Sequence, residues 1–357
     1  MKKKLIVLNT SQFGTLIDSY EWCIYLKEYY DITFISFNNH HKRMDVDGVE
    51  YIYLHRFNNP YLRGVWYILY TTLYCLFHGA PIFIVYFKYC SIFAHLFPNR
   101  SHIDIRTLAV SSDNIENKRN DLELQETVNK FKSASFISQG VQEKLEPICE
   151  RRYILPLGAD PISIKNKDFS LKKMLYVGTL TNRNIITTIK GVELFVKKYP
   201  NIPISYDIVG DGEDFSLIQK YIKEHNLSKY IKLYGKLPYD ELAPFFDKCN
   251  LGISFIPIID YYQYQPPTKT FEYILSGLYC IATKTKANTE IINGENGILI
   301  EDTEHAFLYA LEKILNYNHI NSEIIRNTLM EKYNWRYIVE KSLYPIIEEL
   351  YNNYRYF

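Results

Sequence analysis

The segment Pro266–Gly277 carries the clearest chemical signal in this sequence. Two prolines precede Thr268, and prolines suit the approach to a helix and its first turn, so we expect a helix that Thr268 caps and Gly277 ends. Lys269 and Glu272 are three positions apart and therefore neighbours on one helical face. A lysine at a helix N-terminus predicts a phosphate site, and a carboxylate beside it can accept hydrogen bonds from a ribose. The alternative is a surface ion pair.

A second signal is the run Tyr176–Leu180, a strand that enters a glycine turn and is followed by Arg183. The planar guanidinium of arginine donates two parallel hydrogen bonds to phosphate oxygens. At the carboxyl end of a strand, Arg183 can meet Lys269 across a diphosphate. The alternative is a solvated loop arginine.

The run Val209–Glu213 also ends a strand in a glycine turn at Gly210. It lacks the GxGxxG pattern, so the dinucleotide-binding fingerprint is absent.

Three polar residues alternate along one predicted strand, His102, Asp104 and Arg106. Alternation by two places them on one face of that strand. Polar groups that alternate on an otherwise apolar strand near the predicted cleft indicate substrate contact, and a purely structural ion pair is an equally good interpretation.

The motif Asp45-Val46-Asp47 has the DxD spacing of carboxylates that can hold a divalent cation. It lies beside Gly48 among charged residues, which is typical of a polar turn. Because Arg183, Lys269 and a helix N-terminus can offset diphosphate charge, we expect no metal and no other cofactor.

Short β-branched runs alternate with amphipathic stretches along the chain, which predicts a parallel α/β architecture of two doubly wound domains facing each other across a cleft. We expect domains at residues 1–160 and 161–335, and a helix over 336–357 that packs back on the first domain. Ligands bind at the carboxyl ends of such strands.

The amino-acid composition excludes several classes of protein. Hydrophobic residues make up 47% of the chain, so a wholly disordered protein is excluded, and 41 basic against 40 acidic residues argue against a nucleic-acid partner. The six cysteines are scattered, which favours free thiols and a cytoplasmic location. The N-terminal apolar run is too short for a signal peptide.

The stretch Val65–Phe87 has no residue charged at neutral pH, but His78, Gly79 and Pro81 interrupt it. A helix near Tyr61–Phe77, a turn and a strand explain it better than a membrane span. The aromatic residues across 61–89 predict peripheral contact with a membrane surface.

These motifs and their order resemble the GT-B-fold retaining glycosyltransferases of family four, also called glycosyl transferases group 1. The resemblance covers nearly all of residues 135–350. It rests on the following stretches: Leu155–Asp160, Tyr176–Leu180, Val209–Glu213, Tyr234–Pro238, Cys249–Ile253, Pro266–Gly277, Glu290–Leu299 and Trp335 with the helix after it.

The resemblance implies roles at the matching positions. Arg183 and Lys269 would neutralise the diphosphate of a nucleotide-sugar donor, with Gly210 and Thr268 beside it. Glu272 matches the second acid of the family's Glu-x7-Glu motif and would hold the ribose. The main chain at Lys236-Leu237 would meet the nucleobase.

In the first domain, the resembling strand carries a polar residue near the reacting sugar. Asp104 would therefore orient an acceptor or donor hydroxyl, with His102 and Arg106 on the acceptor side.

Two departures from the family pattern affect the donor site. Tyr264 occupies the position of the first motif acid, and the N-terminal glycine pair is reduced to Phe13-Gly14-Thr15, so Gly14 and Thr15 are the expected donor contacts there.

The resemblance therefore implies a retaining, metal-independent glycosyltransferase that uses a nucleotide diphosphate sugar. Its acceptor would be a glycan or a lipid-linked molecule in cell-envelope polysaccharide synthesis, at the inner face of the membrane. The alternatives are an inactive GT-B module that binds a nucleotide or glycan as a scaffold, and a phosphorylase or epimerase of similar fold.

Overall fold

The computed structural model describes residues 2–109, 114–317 and 320–355. The chain forms two compact units. The first contains the chain up to Leu157 and again from Trp335 onward, and the second contains Gly158–Asn334.

The first unit is built on seven parallel strands in the order β3-β2-β1-β4-β5-β6-β7. The strands are β1 Lys3–Leu8, β2 Tyr30–Phe37, β3 Val49–Leu54, β4 Ile82–Val85, β5 Ser101–Ile105, β6 Ser133–Phe136 and β7 Arg151–Ile154. The helices between them are α1 Ile17–Leu26, α2 Pro60–Phe77, α3 Ile92–Leu96, α4 Asn114–Val128 and α5 Gln139–Leu145. The strand order reverses between β1 and β4, as in a doubly wound sheet.

The second unit contains six parallel strands in the order β10-β9-β8-β11-β12-β13. The strands are β8 Lys172–Val177, β9 Ile204–Val209, β10 Ile231–Leu233, β11 Leu251–Ser254, β12 Tyr279–Thr283 and β13 Gly297–Ile300. The helices are α6 Ile186–Lys198, α7 Phe215–Glu224, α8 Ala243–Lys248, α9 Thr268–Leu275, α10 Lys286–Ile291, α11 Glu304–Leu315 and α12 Ser322–Tyr333. All residues of β11 and β12 are buried, which explains their continuous apolar runs.

The C-terminal segment is helical, as α13 Trp335–Ile338, a π-helical turn Val339–Leu343 and α14 Tyr344–Arg355. It packs within the first unit, where Glu348 accepts a hydrogen bond of 2.7 Å from Tyr30 and lies 2.5 Å from the Lys3 ammonium. The Tyr351 hydroxyl donates to the carbonyl of Lys4 in β1. These contacts tie the end of the chain to the first two strands.

The residues predicted to form a helix near Tyr61–Phe77 are α2. The Asn59 side chain caps it by accepting from the N–H groups of Tyr61 and Leu62, and Pro60 occupies the first turn. None of the helices in the described parts of the chain is both long and apolar enough to cross a membrane. All six cysteines are free and buried.

Candidate functional site

The carboxyl edge of the second sheet brings the turns after β8 and β9 into close contact. A Cβ atom on Gly210 would lie 1.8 Å from the carbonyl oxygen of Gly178, so no larger residue fits there. The Gly178 N–H donates to Val209, and the Gly210 N–H donates to Gly235 after β10. The strand order reverses beside this point, between β8 and β11, where doubly wound sheets bind ligands.

Lys269, in the first turn of α9, reaches this glycine turn. Its Nζ lies 3.3 Å from the point where a Cβ on Gly178 would stand, so the absence of a side chain there makes room for the ammonium. The same Nζ lies 4.0 Å from the ring centre of Tyr176, whose hydroxyl donates to the carbonyl of Thr179 at 2.6 Å. Tyr176 thus supports both the cation and the turn.

Arg183 lies on the same edge and is held by Tyr262. Its guanidinium donates to the Tyr262 hydroxyl and stands over that ring, with Cζ 4.5 Å from the ring centre. Tyr262 is buried and donates onward to the carbonyl of Asn182 at 3.3 Å. The planar cation is therefore oriented before any ligand arrives.

The electrostatics of the site favour an incoming anion. Burial, helped by the positive charge of Arg183 and opposed by Glu272, lowers the pKa of Lys269 to about 7. Burial likewise raises the pKa of Glu272 to about 7, against the pull of the Lys269 ammonium. Both side chains keep part of their surface exposed. A bound diphosphate would add negative charge beside Lys269 and Arg183 and so favour the charged form of the lysine.

The N-terminus of α9 differs from the prediction in one respect. Thr268 is the first helical residue rather than the cap, and the cap position is Pro267. No side-chain hydrogen bond caps this helix, because proline has no polar side chain, so first-turn N–H groups are left without a side-chain partner. The prediction that Thr268 caps the helix is wrong, and an uncapped N-terminus is better suited to an anion.

Tyr264 stands where the glycosyltransferases that this sequence resembles have an acid, and it is paired with a lysine. The Lys286 ammonium donates to the Tyr264 hydroxyl at 2.8 Å and lies 4.7 Å from the ring centre. Lys286 is the first residue of α10, and its N–H donates to the Gln263 side chain. Sequence reasoning missed Lys286 and Tyr262 as members of this edge, and the tyrosine-rich run 261–264 was the available signal.

Lys236 and Leu237 follow β10 in a loop, Lys236 exposed and Leu237 half-buried. Their place at the same carboxyl edge as Gly210 is compatible with the predicted nucleobase contact, which stays a prediction.

In the first unit, the predicted donor contacts Gly14 and Thr15 lie in the turn between β1 and α1. Gly14 has φ +85°, and a Cβ there would come within 2.5 Å of the Met44 sulfur. The Thr15 hydroxyl donates to the carbonyl of Gln12 at 2.6 Å. This turn is fixed by its own contacts, and its donor role stays a prediction.

His102 and Asp104 do not reach the surface that their predicted roles require. Both are fully buried in β5, which is covered on both faces. The two ring nitrogens of His102 lie 2.7 and 2.8 Å from the hydroxyls of Ser133 and Ser135, and Ser135 donates to Asp104 at 2.5 Å. Assigning Asp104 to a reacting hydroxyl and His102 to the acceptor is therefore corrected: they form an internal polar network between β5 and β6.

Burial also governs the charges of this network. It lowers the pKa of His102 to about 3, helped by the charge of Arg151, so the ring is neutral. It raises the pKa of Asp104 to about 7, against the opposing effects of Arg106 and Ser135.

Arg106 is held by partners of its own unit. Its guanidinium lies 2.6 Å from Asp18, 3.7 Å from Asp104 and over the Trp22 ring, and it donates to the carbonyl of Leu155 at 2.6 Å. Its side chain is only 11% exposed, so little of it is available to an acceptor. The alternative interpretation of this strand, a structural ion pair, agrees with these contacts.

Comparison with known proteins gives a family match in the second unit. Residues 172–317 match the family model described as glycosyl transferases group 1. Over 176 residues the chain is 31% identical to the uncharacterized glycosyltransferase MJ1178 of Methanocaldococcus jannaschii. That match covers 45% of this chain and 45% of the relative.

Solved structures resemble the whole chain. Sucrose-phosphate synthase from Thermosynechococcus elongatus superposes with a TM-score of 0.76 at 13% identity, covering 98% of this chain and all of that one. Anabaena Alr3699/HepE, solved in complex with UDP, gives 0.71 at 14% identity, covering 98% of this chain and all of that one. These likenesses confirm the predicted GT-B fold, and together with the family match they support a glycosyltransferase.

Proposed function

We propose that this chain is a retaining glycosyltransferase that moves a sugar from a nucleotide diphosphate sugar without a metal ion. One observation carries the proposal. Two cations, Lys269 and Arg183, meet at the switch point of a parallel sheet beside the uncapped N-terminus of α9. That combination is built for a diphosphate rather than for a neutral ligand.

In the proposed reaction, the bond between the anomeric carbon and the diphosphate oxygen breaks while the acceptor oxygen bonds to that carbon. Lys269, Arg183 and the N–H groups of α9 stabilise the negative charge that develops on the leaving diphosphate. Glu272 holds the ribose, and the backbone at Lys236-Leu237 meets the nucleobase.

The acceptor proton passes to a diphosphate oxygen on the face where the new bond forms, so the anomeric configuration is retained. This route requires no general base from the first unit. The burial of His102 and Asp104 supports it, because neither side chain is accessible to a hydroxyl.

The acceptor in this proposal is a glycan or lipid-linked molecule, bound by the first unit during cell-envelope polysaccharide synthesis. The setting is the cytoplasm, at the inner face of a membrane that residues 61–89 contact. UDP is the first nucleotide to test, because Alr3699/HepE was solved with it.

The test is slow donor hydrolysis, in which water replaces the acceptor. UDP-, GDP- and ADP-sugars are incubated with the protein and with EDTA, and proton NMR follows the anomer released before it equilibrates. We expect one donor to be cleaved with retention, unchanged by EDTA, and Lys269→Met to lose at least about a hundredfold in rate. Lys190→Met, an exposed lysine of α6, is the matched control.

A second candidate, an inactive module that binds the nucleotide as a scaffold, is favoured by one observation, the Tyr264–Lys286 pair in place of an acid. Tight binding of the nucleotide without cleavage of any donor would support it and contradict the enzymatic proposal.

A further inference from the structure

Helix α2 has two faces of different exposure. It buries Tyr67, Thr71 and Cys75 against its own unit. On the opposite side it exposes an apolar stripe at intervals of three and four residues: Leu62, Val65, Leu69, Leu73 and Leu76. These side chains are 46–65% exposed. The ends of the helix add Tyr61 and Phe77, which are 78% and 83% exposed. An exposed apolar stripe of this length marks an interaction surface.

The segment that carries this stripe has charged side chains of one sign. Residues 51–103 include no aspartate or glutamate, although the chain has 40 acidic residues. Within that range Arg56 and Lys88 are exposed and Arg63 is half-buried. Lys88 lies 3.4 Å from Glu123 of α4, a surface pair of little strength. An apolar face whose own segment carries cations and no carboxylates is complementary to an anionic surface.

A groove runs along the first half of the stripe. It has a volume of about 750 Å³ between α2 and the start of α3, with Val65, Leu69 and Ile92 on its walls and Lys88 at its rim. Gly64 also lines it, and a Cβ atom there would meet nothing within 4 Å. Glycine inside a helix is destabilising relative to alanine, and no packing contact explains it here. It leaves the groove wider than any other residue would.

We propose that this face docks on an anionic lipid bilayer, with α2 parallel to the membrane plane and a lipid acyl chain in the groove. The stripe enters the boundary between headgroups and acyl chains, as amphipathic surface helices do. Arg56, Arg63 and Lys88 bind the lipid phosphates. This gives the membrane contact of the proposed function a lipid class and a geometry, and its test requires no catalysis.

A second copy of the chain is the competing occupant, and the charge pattern disfavours it. A two-fold interface would bring the same cations of each copy together, with no carboxylate from residues 51–103 to pair with them. A bilayer that contains anionic phospholipid has no such penalty.

Trp66 can serve as an intrinsic fluorescence probe of this face. Trp22 and Trp335 are 2% and 1% exposed, whereas Trp66 lies on α2 and is partly exposed. Brominated phosphatidylcholine vesicles containing about one third phosphatidylglycerol should therefore quench Trp66. Vesicles without phosphatidylglycerol should bind at least tenfold more weakly, since each cation near an anionic surface contributes about fivefold. Raising NaCl from about 50 mM to about 500 mM should release the protein.

Two variant pairs assign the binding to this face. Leu69→Glu with Leu73→Glu should abolish vesicle binding, whereas Leu217→Glu, at a leucine of α7 that is 56% exposed, should leave it unchanged. Gly64→Leu should weaken binding severalfold by filling the groove, and Gly64→Ala should not. Circular dichroism confirms that each variant folds.

Three results would overturn the proposal. The first is equal binding to neutral and anionic vesicles, and the second is unchanged vesicle binding by the double glutamate variant. The third is a wild-type protein that does not bind vesicles but is a dimer in light scattering, with the double glutamate variant monomeric. Loss of donor cleavage with intact vesicle binding would count against the proposed function alone, so the two failures are distinguishable.

Discussion

The perturbed Lys269 ammonium makes nucleotide binding depend on pH. Burial lowers its pKa from 10.5 to about 7. A diphosphate in contact with the ammonium favours the charged form, so the pKa rises again when the ligand binds. The complex therefore holds more protons than the free protein above pH 7, and affinity must fall as pH rises.

The magnitude follows from that value. With a free pKa of about 7 and a bound pKa above about 9, the dissociation constant rises about tenfold between pH 6 and pH 8. A complete return to 10.5 would represent about 5 kcal/mol of coupling between the proton and the ligand, at about 1.4 kcal/mol per pKa unit. Lys269→Met should remove this dependence of the dissociation constant on pH. It should also weaken binding at pH 6 by about a hundredfold, because one partner of a desolvated charge pair is lost.

The assay is isothermal titration calorimetry at about pH 6, 7 and 8, in buffers of different ionisation enthalpy. A sugar-linked nucleotide is used because the terminal phosphate of a free nucleotide itself ionises near pH 6. We expect proton uptake on binding at pH 8 in the wild type and in the Lys190→Met control. Burial also raises the pKa of Glu272 to about 7, so Glu272→Gln is measured alongside to separate its contribution to the pH dependence of the affinity.

The reasoning is refuted if wild-type affinity is constant over this range, or if Lys269→Met retains the same slope.

Other substitutions test single features. Gly210→Ala should lower the melting temperature by several degrees and abolish nucleotide binding, because its Cβ would overlap the carbonyl of Gly178; a stable variant with normal affinity would contradict the packing. Glu272→Gln should bind a ribonucleotide about tenfold more weakly but a 2′,3′-dideoxynucleotide as well as the wild type does, and equal losses for both would exclude ribose contact. In the folded chain the raised pKa of Asp104 favours its protonated form, so its share of stability falls as pH rises from about 4 to 7. Asp104→Asn should flatten that decline in thermal melts and leave donor cleavage intact, and unchanged pH dependence would place the titrating group elsewhere.

Much of the second unit could be predicted from sequence because its motifs combine local rules. Lys269 and Glu272 follow two prolines and precede Gly277. Residues within this short segment therefore determine where the helix begins, which face carries the two side chains and where the helix ends. Arg183 follows a buried apolar strand whose carboxyl end is fixed by the glycine turn. The structure places Lys269 and Arg183 within electrostatic reach of each other.

Residues that act through tertiary contact could not be predicted. Tyr262 lies in the segment between β11 and α9, and Lys286 begins α10 after β12. Their partners Arg183 and Tyr264 are far from them in sequence or lie in an aperiodic segment, so local rules do not specify these contacts. Alternation correctly placed His102 and Asp104 on one face of β5. It could not show that this face is buried, with the serines of β6 bonded beside it, because a strand buried on both faces and one exposed on a single face can share the same alternation.

The central claim is that the second unit binds a nucleoside diphosphate through Lys269 and Arg183 without metal. Thermal unfolding with UDP, GDP and ADP, each with and without EDTA, tests it most directly. We predict that one nucleotide raises the melting temperature by several degrees, about 2.7 kcal/mol at a hundredfold excess over its dissociation constant, that EDTA changes nothing, and that Lys269→Met shows no rise. No shift with any nucleotide, a shift that EDTA removes, or an equal shift in Lys269→Met would contradict the account.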